Sequence, residues 1–167
     1  MNARYQDQWL SKHIPHRLRA CLALSALQDE LMPPSTDEET RIRTKGVFQI
    51  MAAFEGRMAA MRWLIELVGI REYKGKPDRP RPFPTAVSIE SIQGEDQRID
   101  LFSDEAKFLA QVWKGCSQAS GHPTQGTNHP SIDNPTLDKA LRIIVEHLKR
   151  TVYSGGTRDL IAEIFKV

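Results

Sequence analysis

The five histidines are the residues best suited to chemistry near neutral pH, because imidazole carries protons and, when neutral, binds metals. His122 and His129 share one stretch with Thr124, Gln125, Thr127 and Asn128, all able to hold an anion or orient a substrate. Two such histidines could divide the general-acid and general-base roles of phosphodiester cleavage. That chemistry also needs a cation beside the phosphate, and the stretch supplies none, so a hydrogen-bonded turn at each His-Pro doublet is the stronger expectation. His13 and His16 flank Pro15 and lack further ligands at zinc spacing. HExxH, paired CxxC and acidic calcium-loop patterns are missing, as are GxSxG, GxxxxGKS/T and GxGxxG. No metal and no other cofactor is therefore expected. Cys21 and Cys116 fall in apolar helical patterns and are expected as buried, reduced thiols. A nucleophilic role for Cys116 would require an exposed, electropositive position, against which its inward placement argues.

An arginine and a histidine with four residues between them stand at Arg142 and His147, in the run Arg-Ile-Ile-Val-Glu-His. The spacing resembles the signature of HEPN-type helical ribonucleases. The resemblance implies a small helical bundle, an active site formed across a dimer, and metal-independent RNA cleavage by Arg142 and His147 with help from His122 or His129. It covers six residues of 167. The residue after Arg142 is the apolar Ile143, and Leu148, Lys149 and Arg150 continue the helix beyond His147, both departures from the common pattern. Five positions along an ideal helix rotate a side chain by about 140°, so the two do not point together within one chain. A surface arginine and a boundary histidine form the competing expectation.

A third group is basic. The stretch Arg71–Pro84 holds five cations, Arg71, Lys74, Lys76, Arg79 and Arg81, against two acids and four prolines. Prolines prevent a persistent helix or central strand there, so it is expected as an extended arm. Its cations could contact a polyanion such as RNA, with Tyr73 and Phe83 as stacking surfaces, or the arm could dock in a partner's groove. The whole chain offers no such bias: 23 basic and 21 acidic residues leave a net charge of +2.

The elements that must position these residues are mainly helical. Between Thr36 and Gly69 the apolar residues Val47, Met51, Phe54, Met58, Met61, Ile65 and Val68 alternate in steps of four and three, the seam of one long helix. Thr36 and Glu39 have capping-box spacing, and Gly69 suits a left-handed cap. Ala52, Gly56 and Ala60, four apart, invite close approach of a second helix, within the chain or across a dimer axis. Helices are also expected over Pro15–Leu31, Ser103–Ala119 and Pro135–Tyr153, the last capped at Asn134. Short terminal helices are expected over Arg4–Leu10 and after Thr157, which follows Gly155-Gly156. A small hairpin is expected from Thr85–Ile92 and Arg98–Phe102, turning near Gly94. Gly121–Pro135 reads as a long loop.

These features predict an all-α fold. It is a four-helix-type bundle in one domain over 1–167, with short terminal helices and an arm and β-hairpin inserted at about 71–102. Of the residues, 40% are hydrophobic. No apolar run can span a bilayer and the first residues lack a secretory pattern, so a cytoplasmic protein with no membrane partner is expected. A non-enzymatic interaction or regulatory module, homodimeric through the central helix, is the leading expectation for function. The metal-independent ribonuclease is the alternative.

Overall fold

Apolar residues at steps of four and three commit the central stretch to a helix with one buried side, and its neighbours assemble on that side. The computed structural model describes residues 3–31, 45–81, 87–93, 96–121, 132–154 and 158–166. The elements are α1 (Ala3–Gln8), a π-helical turn (Trp9–His13), α2 (Ile14–Leu31), α3 (Lys45–Leu67), β1 (Arg71–Tyr73), β2 (Lys76–Asp78), α4 (Ile89–Gln93), α5 (Asp104–Gly121), α6 (Asn134–Thr151) and α7 (Leu160–Phe165). Over the described residues the protein is mainly helical with one small antiparallel sheet.

Helix α3 packs against α2, α5 and α6, α5 also meets α6, and α7 lies on α2. The seam is realised where it is described: Met58, Met61, Ile65 and Val68 are buried and Phe54 packs beside them. They join Leu18, Leu109, Leu137, Ile144 and Leu148 in one continuous cluster. Each such side chain contributes about 1.5–3 kcal/mol when fully buried. The start at Thr36 and the side chains of Val47 and Met51 lie outside the described residues. Of the small-residue strip, Ala60 is buried, whereas Ala52 and Gly56 are exposed, and no atom of the described residues lies within 4 Å of where a Gly56 Cβ would stand.

The helix ends follow local chemistry. Gly69 has φ of +84°, its N–H donates to Glu66 O at 3.0 Å, and that of Ile70 donates to Ile65 O at 3.0 Å. This pair of bonds is the Schellman arrangement that a glycine permits. Ser103 Oγ accepts from Ala106 N at 3.0 Å and opens α5 as expected. For α6 the expected cap is displaced by one residue. Asp133 accepts from Thr136 N at 2.9 Å, because Asn134 Oδ1 is engaged by Arg57 at 3.1 Å. Asp159 caps α7, accepting from Ile161 N at 2.8 Å; Gly155, Gly156 and Thr157 lie outside the described residues.

Two expectations are corrected. Residues 3–31 form one helical run where a separate short helix was expected, because the π turn carries the chain through Ser11–His13 and its last bond runs from Ile14 N–H to Trp9 O. The wider turn stands where Pro15 has no amide hydrogen to give. The hairpin lies within the basic arm, with Arg71 opposite Asp78, Glu72 opposite Pro77 and Tyr73 opposite Lys76. Lys74 and Gly75 both have positive φ, +52° and +80°, as a two-residue primed turn requires. Pro77 is tolerated because, next after the pair flanking a two-residue turn, its position makes no ladder hydrogen bond. Ile89–Ile92, expected as strand, falls in helix α4; residues 82–86 and 94–95, where the expected strand begins and turns, lie outside the described residues.

Candidate functional site

Arg79 extends from the end of the hairpin, and its Nη1 donates to Gly69 O and Ile99 O, both at 2.9 Å. The bond from Ile99 N to Val68 O at 3.0 Å joins the same two segments. The C-terminus of α3, the hairpin and the 96–103 segment are thereby tied at one point. Beside that point opens a cleft of about 730 Å³, lined by Trp9, Arg62, Trp63, Glu66, Arg71, Arg79, Arg81, Glu90, Arg98 and Trp113 among others. Its size suits a small ligand. All three tryptophans of the chain line it.

The aromatic wall is ordered. Trp9 and Trp63 stack with centroids 5.4 Å apart and planes 9° from parallel, and Arg17 lies 5.6 Å from the Trp63 centroid. One oxygen of Glu66 accepts from Trp113 Nε1 at 2.8 Å and from Arg62 Nε at 3.2 Å. That shared acceptor places Arg62 over the Trp113 ring, 5.3 Å from its centroid. The π turn delivers Trp9 to the cleft, α3 delivers Arg62, Trp63 and Glu66, and α5 delivers Trp113.

The charges divide into neutralised and unneutralised groups. Glu66 is used by Arg62, and Glu90 lies 3.2 Å from Arg98, which also pairs with Asp96 at 2.6 Å. Hydrogen bonding to Arg98 holds the Asp96 carboxyl well below the usual range, and the same bond raises Arg98. Arg71 pairs with Asp78, whose carboxyl is likewise held low. Among the described residues, Arg79 and Arg81 have no carboxylate in an ion pair. Burial depresses the Arg79 guanidinium first and the charge of Arg98 second, while Asp96, Asp100 and Glu90 act in the opposite direction. Arg81 is exposed.

Of the five cations singled out in the arm, Arg71, Arg79 and Arg81 meet in this cleft. Lys74 and Lys76 do not line it; Lys74 sits 5.3 Å from the Tyr73 ring at the hairpin tip. Sequence reading missed Arg62, Arg98 and the convergence of the tryptophans. One signal was available: Trp63 falls off the apolar seam of its helix, flanked by Arg62 and with Glu66 following at ion-pair spacing.

The histidine constellation is not assembled among the described residues. His147 is half-buried, with Nε2 2.5 Å from Gln97 O, and burial lowers its pKa. Arg142 is exposed on the same helix, and His13 and His16 are exposed near the start of α2. His122 and His129 lie outside the described residues. Among the described residues no group of three histidine, cysteine or acidic side chains could hold a metal ion. Burial pushes the thiols of Cys21 and Cys116 up to about 12, which leaves them as unreactive apolar groups. No described helix is long and apolar enough to cross a membrane. No family model, curated protein or solved structure matches this chain.

Proposed function

We propose that this chain is a non-enzymatic binding module, of the interaction or regulatory kind, and that the arginine–tryptophan cleft is its recognition surface for an anionic partner. One observation carries the reading: the carboxylates lining the cleft are already used by Arg62 and Arg98, which leaves Arg79 and Arg81 for an incoming anion. Guanidinium groups bind phosphate and carboxylate through paired N–H donors. The scaffold in this reading is a cytoplasmic four-helix-type bundle. It dimerises through α3, where exposed Ala52 and Gly56 lie four residues apart.

The test is calorimetric titration with tripolyphosphate. Binding is expected, and Arg81→Ala is expected to weaken it by roughly tenfold, the loss of one charge-assisted contact. Lys76→Ala, outside the cleft, leaves binding unchanged. An unaffected Arg81→Ala protein moves the site elsewhere. RNA cleavage that survives chelation and vanishes in His147→Ala would overturn the non-enzymatic reading in favour of the ribonuclease.

A further inference from the structure

A site that only neutralises an anion has no use for aromatic walls, because guanidinium donors suffice. This cleft gathers every indole in the chain. The indoles are also held in place: Glu66 fixes Trp113 and Arg62 against each other through one oxygen. The Arg62 side chain remains 43% exposed, so its planar guanidinium, backed by Trp113, is available from the cleft. Nucleobases stack on guanidinium planes as they do on aromatic rings. The same cavity contains Arg79 and Arg81, the two of its lining arginines that have no carboxylate in an ion pair among the described residues.

Resting on the binding role argued above, we infer that the cleft takes a nucleotide unit, its base stacked on the Arg62–Trp113 layer and its phosphate held by Arg79 and Arg81. The unit is either a free nucleotide or one residue of a single strand; the recognising chemistry is the same.

Because all three tryptophans line the cleft, intrinsic fluorescence reports its occupancy directly. Adenosine monophosphate is expected to quench the emission and to bind at least about fivefold more tightly than inorganic phosphate, the low end of what stacking one base contributes. Arg62→Lys keeps the charge and removes the plane. It is expected to reduce the preference for adenosine monophosphate over phosphate while leaving phosphate binding unchanged, with circular dichroism confirming the fold. Arg81→Ala weakens both ligands. Oligoadenylate binding no tighter per nucleotide than the monophosphate assigns free nucleotides, and tighter binding assigns strands. If tripolyphosphate binds with Arg81 dependence and adenosine monophosphate shows no advantage over phosphate, the nucleotide inference fails and the anion site stands. If neither tripolyphosphate nor the nucleotide binds, both fail.

Discussion

His147 commits Nε2 to the carbonyl oxygen of Gln97. A carbonyl only accepts, so Nε2 carries the proton and a neutral ring keeps its lone pair on Nδ1. Burial lowers the imidazole pKa below its ordinary 6.5, with Arg150 adding to the effect and the Gln97 bond and Glu105 opposing it. The unfolded chain therefore takes up a proton on His147 before the folded chain does. This contribution to stability is complete above the unfolded value and declines as pH falls from about 6.5 towards the folded pKa. Urea unfolding of His147→Gln at pH 7.5 and 5.5 should show a shallower loss on acidification than the parent; an equal or steeper loss would assign the dependence to other groups. The Arg-x4-His spacing was visible in the sequence. The bond that occupies the histidine was not, because its partner lies 50 residues away on a segment with no regular pattern.

Between elements, the most demanding contact joins α3 to α6. Arg57 is 1% exposed and pairs with Asp138, which is 53% exposed, and with Asn134. Among the described residues, Arg57 Nε has no hydrogen-bond partner. Removing Asp138 strands a buried cation, whereas removing Arg57 leaves a carboxylate that water already reaches. Asp138→Ala is therefore expected to lose about 3 kcal/mol, the scale for breaking a buried pair from one side. Arg57→Met, which also refills the volume, should lose less than half of that. Equal losses in chemical denaturation would refute this asymmetry. Sequence patterns located the helices well because a seam such as Met58, Met61 and Ile65 is repeated and local. They misplaced the hairpin because the prolines of the arm were taken to exclude strands. That exclusion does not hold at Pro77, where the ladder asks for no donor. The Arg57 pair had no local signature, since a lone arginine in a helix reads as a surface residue until its neighbours are known.

At the scale of the whole molecule, charge is nearly balanced, and binding to a strand must come from where the cations stand. The arm announced Arg71, Arg79 and Arg81. The cleft also draws on Trp9, Trp63 and Trp113, each about fifty residues from the next, a convergence that only the tertiary fold creates. This locality has a measurable consequence. Each phosphate neutralised on a single strand contributes about −0.7 to the slope of log affinity against log salt. One phosphate held by Arg79 and Arg81 predicts a slope near −0.7 for an oligoadenylate. Arg81→Ala should flatten that slope, and Lys76→Ala should leave it alone. A parent slope near −4 would instead mean that a broad basic surface, reaching the lysines at the hairpin tip, tracks the strand. The cleft would then be one contact among many, and the exposed Lys74 and Lys76 would belong to the binding face.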